Sequence, residues 1–218
     1  QLLEAGRVVS DSMARQEIKH VQDARLVAFT RGLGEALKDG DGNQITSLAK
    51  PAAGGLSAEN MMVFDSQGRE VLHTIKQSNG EIQAVTRMGS TSTLSIVDEL
   101  LAENNPDSLP KRILAKNPLN DRYYYFTSIP VPLGDDVIGV VVVGTSLDTF
   151  LQELKATASA DIVIYDSNGQ ALASTLGVSA TDPLFLRTLS IDKNFFKRAI
   201  NQDEIVEGEN FEVEGRLY

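Results

Sequence analysis

Apolar residues recur at helical spacing from Leu2 to Leu37, with no proline between them. One series runs Leu2, Ala5, Val9 and Met13; a second runs Ala14, Ile18, Val21, Ala24 and Ala28; a third runs Phe29, Leu33 and Leu37. Charged residues such as Arg15, Lys19, Asp23 and Arg25 fall between them. The pattern predicts one helix over residues 1–38, roughly 50–55 Å long at about 1.5 Å per residue. Such a helix must cross more than one small domain, pair with a partner chain, or do both. Asp39-Gly40-Asp41-Gly42-Asn43 then reads as a solvated turn that ends it. The acid spacing resembles a calcium loop, but Gln44 stands where the loop requires Gly and Lys50 where it requires Glu.

Beyond the turn, Pro51 to Ser57 reads as a loop. Strand signals follow at Met61 to Phe64, Arg69 to Ile75 and Ile82 to Arg87. Thr93 to Glu103 carries Leu94, Val97, Leu100 and Leu101 on one helical face, and Asn104 to Pro110 breaks it. Further strand signals lie at Lys111 to Ala115, Arg122 to Pro130 and Val137 to Val143. The last is a β-branched run broken only by Gly139, suited to a central strand covered on both faces. Thr145 or Ser146 caps a following helix, with Asp148 in its first turn.

The run Met61-Met62-Val63-Phe64-Asp65-Ser66-Gln67-Gly68 returns as Ile162-Val163-Ile164-Tyr165-Asp166-Ser167-Asn168-Gly169. In each copy a buried-strand run meets a tight turn whose Gly supplies a positive φ. A period of about a hundred residues exceeds that of a solenoid and predicts two copies of a small domain. The expected division is a leading helix at 1–38, a first domain at 39–155 and a second at 156–218.

The 218 residues are 42% hydrophobic and carry no cysteine, which excludes a disulfide framework and a thiolate-ligated zinc. A formal net charge of −10 repels nucleic acid and anionic lipid alike. The most apolar run, Val137 to Val143, is far shorter than a membrane span of about 20 residues. Any membrane association is therefore expected only through spans that this sequence does not contain.

Two strands, a helical connection and further strands make an α+β arrangement. Each unit is expected to hold a five-stranded antiparallel sheet, with the connection folded across one face. Tyr123-Tyr124-Tyr125-Phe126-Thr127-Ser128-Ile129-Pro130 followed by Asp136-Val137-Ile138-Gly139-Val140-Val141-Val142-Val143-Gly144-Thr145-Ser146-Leu147-Asp148 resembles the double Cache (PAS-like) sensor module of bacterial transmembrane receptors. The likeness covers nearly the whole chain. It implies an extracytoplasmic ligand-sensing domain of a histidine kinase, chemoreceptor or nucleotide cyclase, signalling through the long helix. The family's amino-acid receptors use an Arg, a Trp and an Asp on the last strand; this chain has no Trp, and Gly144 stands at the Asp position.

Enzymatic signals are nearly absent. His20 and His73 are far apart, each expected at the surface or partly buried, and neither Gly32-x-Gly34 nor Gly40-x-Gly42 follows a strand as a dinucleotide loop would. No catalytic residue, metal or cofactor is expected. A small-molecule ligand is, in a cavity between the helical connection and one sheet face. Tyr123, Tyr125 and Thr127 alternate onto one face of their strand and offer hydroxyls to it. Arg87, Lys111 and Arg112 offer charge at its mouth, which suits a carboxylate such as an organic acid. The competing expectation is a module that only dimerises or spaces a receptor. The several apolar series on the leading helix leave one free to pair with a second copy, giving a homodimer. The second unit resembles the first only as far as the start of its aromatic strand. It is therefore expected to be truncated, with an opening hairpin, a helix at Asp192 to Ile200 and a strand at Phe211 to Tyr218.

Overall fold

Helix α1 (Leu2–Ala28) ends well before the sequence pattern does. Thr30 turns its hydroxyl back onto the Leu26 carbonyl at 3.0 Å, and Gly32 takes a left-handed φ of 88° that no continuous helix accommodates. Helix α2 (Leu33–Asp39) follows as a separate piece, closed by Gly40 in the left-handed conformation. The expected single helix to residue 38 is thus two. A further helix, α3 (Gly42–Ala53), occupies the stretch read as turn and loop. Asp41 caps it through the Gln44 amide at 3.0 Å, and Pro51 sits in its last turn. Of the calcium-like spacing, Asp41 therefore serves as a helix cap, while Asp39 ends α2. The computed structural model describes residues 2–85, 89–176, 181–201, 212–213 and 216–217.

By contacts, residues 14–146 form one unit, and residues 1–13 with 147–218 form another. The first is built on an antiparallel sheet of β1 (Asn60–Asp65), β2 (Glu70–Lys76), β3 (Ile82–Ala84), β4 (Lys111–Lys116), β5 (Tyr123–Leu133) and β6 (Asp136–Ser146). Their order is β3-β2-β1-β6-β5-β4, so the expected five strands are six, the short β3 adding an edge. The β-branched run lies in β6, at the centre between β1 and β5. Helices cover both faces. On one, Ala24, Val27, Leu33 and Ile45 pack with Met61, Val63, Ile129, Val131, Val141 and Val143. On the other, α4 (Ser95–Glu103) sets Ile96, Val97 and Leu100 against Met62, Phe64, Tyr124, Phe126, Val140 and Val142.

In the second unit α5 (Leu147–Ala158) leads to a hairpin of β7 (Val163–Tyr165) and β8 (Ala171–Ser174). Its turn repeats that of the first unit. Asp65 accepts hydrogen bonds from the Gln67 and Arg69 amides, and Asp166 from those of Asn168 and Gln170, with Gly68 at φ 70° and Gly169 at φ 80°. Helix α7 (Lys193–Asn201) matches the expected helix, and β9 (Glu212–Val213) pairs with β10 (Arg216–Leu217). Unforeseen is α6 (Pro183–Thr188), capped by Asp182 with proline in its first turn. Leu186 and Leu189 bury there against the hairpin.

Candidate functional site

The sheet of the first unit carries a buried polar cluster on each face. On the α4 face, the bulge after Val63 aligns Phe64 with Glu70, and both border a small cavity. Met62, the 90–94 segment and Pro118 complete its wall, around a volume of about 40 Å³. Backbone bonds pin the segment along β2: the Glu70 amide donates to the Ser90 carbonyl at 2.8 Å, and the Ser92 amide to the Gly68 carbonyl at 2.8 Å. Glu70 is 3% exposed, and its carboxylate lies 3.3 Å from His73 Nδ1. The amide of Asn60 lies 2.7 Å from His73 Nε2, while Asn60 Oδ1 is buried without a protein partner. Glu70, His73 and Asn60 therefore form a polar row that meets the cavity at Glu70, with unused acceptor capacity at Asn60 Oδ1.

On the α1 face, every fourth residue of the helix points inward: Gln16, His20, Ala24 and Ala28 are buried. His20 is fully enclosed. Its Nε2 lies 2.8 Å from the Thr145 hydroxyl and its Nδ1 3.2 Å from that of Thr127. Gln16 Nε2 reaches His20 Nε2 at 2.9 Å and donates to Thr145 at 3.0 Å. Only a neutral imidazole with its proton on Nδ1 fits this set, because the amide donates to Nε2. Burial pushes the His20 pKa down from 6.5 to about 4, against the pull of Asp23 and with a small push from Lys19. Tyr125 stacks on the imidazole, with ring centroids 5.6 Å apart. Burial raises its phenol's pKa, as does Glu17, and Arg112 opposes them. Arg112 in turn pairs with Glu17 at 2.7 Å.

Three of the residues expected around a ligand, Tyr125, Thr127 and Arg112, are thus brought together, but beneath α1 rather than beneath α4. Tyr123, Tyr125 and Thr127 do share one face of β5. It is Tyr124, Phe126 and Ser128 that face the helical connection, Ser128 donating to the Ile96 carbonyl at 3.3 Å. Tyr123 sits under the Lys116 ammonium, 5.7 Å from the ring centre. Lys111 is held by Glu103 of α4. Arg87 lies outside the described residues. The sequence reading missed Gln16, Asn60, Glu70 and Thr145, and placed His20 and His73 too near the surface. The missed signal is the small-residue spacing Ala24 and Ala28, which continues back to His20 and Gln16. Of the apolar series through Ile18, Ala14 and Ile18 face solvent, with Ile18 58% exposed, and only Ala24 and Ala28 are buried.

Among the described residues no group of three or more acidic, histidine or cysteine side chains is placed to hold a metal. None of their helices is long and apolar enough to cross a membrane.

A family model described as the double sensory domain of two-component sensor kinases matches residues 1–218. No curated protein matches the chain. Among solved structures, the sensor domain of the V. cholerae histidine kinase DctB aligns with 77% of this chain at 16% identity and a TM-score of 0.61. The chain spans 62% of that domain's length. The ligand-binding domain of the Campylobacter jejuni chemoreceptor Tlp3, in complex with L-valine, aligns with 98% of this chain and 81% of its own, at 14% identity and a TM-score of 0.63. At these identities the likeness is one of fold. The family match over the full sequence carries the assignment: the chain belongs to the double sensory (double Cache) domain family of two-component sensor kinases.

Proposed function

We propose that this chain is the extracytoplasmic sensing portion of a bacterial membrane receptor, a histidine kinase, chemoreceptor or nucleotide cyclase. In this reading it binds a small polar molecule on the α4 face of its first unit. The observation that carries the reading is the cavity beside Glu70 of the Glu70–His73–Asn60 row, lined also by Phe64, Ser90, Thr91, Ser92 and Thr93. A site of this kind combines an apolar wall with a few polar groups that fix orientation. Its present 40 Å³ suits water rather than a metabolite, so a ligand enters by displacing the 90–94 segment. The solved Tlp3 domain in complex with L-valine lends support, since its fold is alike.

A thermal-shift screen of organic acids, amino acids and amines tests this. A ligand at 100 times its Kd should stabilise the chain by about 2.7 kcal/mol. Glu70→Gln should shift the ranking between anionic and cationic hits, while Asp107→Asn, which is not in the cavity wall, should not. Silence across the library sinks the sensing reading and leaves a spacer.

Pairing of two copies through α1 has its own support. Ile18 and Leu26 are each 58% exposed on the side of α1 opposite its buried stripe, and Phe29, just past the helix end, is 62% exposed. Isologous pairing along this stripe would bring two receptor chains together. Sedimentation at high micromolar concentration should show dimers that Ile18→Glu with Leu26→Glu abolishes. A strict monomer of the parent chain rules the pairing out.

A further inference from the structure

We infer that Gln16 and His20, seated on Thr127 and Thr145, form a register lock that holds helix α1 at one position along the sheet. The inference deepens the sensing reading, because α1 is the element through which output would leave the unit. The lock itself stands on the geometry whether or not a ligand is ever found.

The buried row of α1 is polar at Gln16 and His20 and apolar from Ala24 to Ala28. A slide of one turn, about 5 Å, exchanges each residue for its neighbour four positions away. Sliding toward the C-terminal end of α1 drives His20 into the site of Ala24, in the apolar cluster to which the sheet contributes Met61 and Ile129. The imidazole would lose both threonines there. Sliding the other way sets Ala24 over Thr127 and Thr145, and leaves two buried hydroxyls without their imidazole partner. Both neighbouring registers strand polar groups, so one register is selected. Ala24 and Ala28 alone would not select it, since each fits the other's place. Val27, fully buried, and Asp23, whose carboxylate accepts from the Ser57 hydroxyl at 2.6 Å and the Ala58 amide at 2.9 Å, favour the same register beside the lock.

The same strands connect the two sheet faces. Thr127 holds His20, and the next residue, Ser128, donates to the Ile96 carbonyl of α4 at 3.3 Å. A displacement of the 90–94 segment that carries over to α4, which follows it directly, is therefore felt one residue away from the lock. This gives a contiguous path of contacts between the two faces, as coupling between them requires.

The chain's lack of cysteine makes the test direct. Spin labels at Gln22→Cys on α1 and Asp135→Cys in the β5–β6 turn, both exposed, report the slide as a distance. The parent chain should give one narrow distance. In Thr127→Val with Thr145→Val, the hydroxyls are gone and Ala24 fits over the valines. α1 should then populate a second position toward its N-terminal end, lengthening the distance by about 5 Å. Thr127→Ser with Thr145→Ser should restore the single distance. An unchanged narrow distance in the folded valine variant overturns the lock. If the double variant does not fold, Thr145→Val alone decides: a broadened or displaced distance supports the lock, and an unchanged one overturns it. Neither arm contains a ligand, so a failed ligand screen and a failed lock are separate results.

Discussion

Gly139→Ala should lower the melting temperature of the chain by about 6–12 °C, a loss of about 3 kcal/mol. A Cβ at this position would lie 2.5 Å from the carbonyl oxygen of Phe64 and 2.9 Å from Leu37 Cδ1. The first of these atoms is backbone of the neighbouring strand, where Gly139 pairs with Asp65. It cannot move aside without parting β1 from β6 at the centre of the sheet. Gly144→Ala meets a different obstacle, the ring of Phe126 at 2.4 Å, which is fully buried and stacked on Tyr124. Its cost should be comparable. Gly6→Ala is the contrast: it is exposed within α1, with nothing within 4 Å of the added methyl. There the better helix propensity of alanine should leave stability equal or raise it by up to about 1 kcal/mol. Thermal unfolding followed by circular dichroism compares the three. A Gly139→Ala chain melting within 1 °C of the parent would show that the central strands yield more than their packing implies.

The same two glycines explain part of what the sequence made legible. In Ile138-Gly139-Val140-Val141 and Val143-Gly144-Thr145 they mark where strand backbone and an aromatic ring approach a central strand too closely for any side chain. A β-branched run interrupted only by such glycines identifies the middle of the sheet, and β6 is there. The repeated Asp-Ser-x-Gly turn was equally legible, because its hydrogen bonds are local: an Asp side chain bonding amides two and four residues on, and a glycine at positive φ. The helix boundaries were not. Nothing in apolar spacing separates a continuous helix from two that meet at Gly32, and Asp41 acts as a cap only because the chain has already turned at Gly40.

Faces were harder to read than elements. Alternation in β5 puts Tyr123, Tyr125 and Thr127 together on either assignment, and both sides of this sheet are covered by helices. Hydrophobicity therefore gives no sign of which side meets α1 and which meets α4. The choice is settled by partners distant in sequence: Gln16 and His20 on one side, Ile96 and Val97 on the other. The polar row of Asn60, Glu70 and His73 escaped for the same reason. Its members pair across a hairpin whose bulge after Val63 shifts Glu70 onto the α4 face, and a bulge leaves no mark in residue type.

Acid should weaken this fold through His20, in a window fixed by its two pKa values. In the unfolded chain the imidazole titrates at its ordinary 6.5, and in the folded chain burial holds it near 4. Between those values the unfolded state binds a proton that the folded state refuses. The contribution of His20 is therefore complete above pH 6.5 and falls as the pH drops toward 4. The full difference is worth at most about 3 kcal/mol. The charged neighbours do not reverse the sign. Asp23 favours the imidazolium and Lys19 disfavours it, while Glu17 and Arg112 pair with each other beside Tyr125. The local hydrogen bonds add to the refusal, since a proton on Nε2 would meet the Gln16 amide, itself a donor. Urea unfolding at pH 7, 6, 5 and 4.5 measures the slope. The slope of His20→Gln should be shallower than the parent's over the same range, because glutamine keeps a polar group on the threonines but has nothing to titrate. Carboxylates elsewhere contribute equally to both chains and cancel in that comparison. Parallel curves for the two chains would mean that His20 takes up its proton in the folded state without strain, and that the seam between α1 and the sheet opens far more readily than its burial implies.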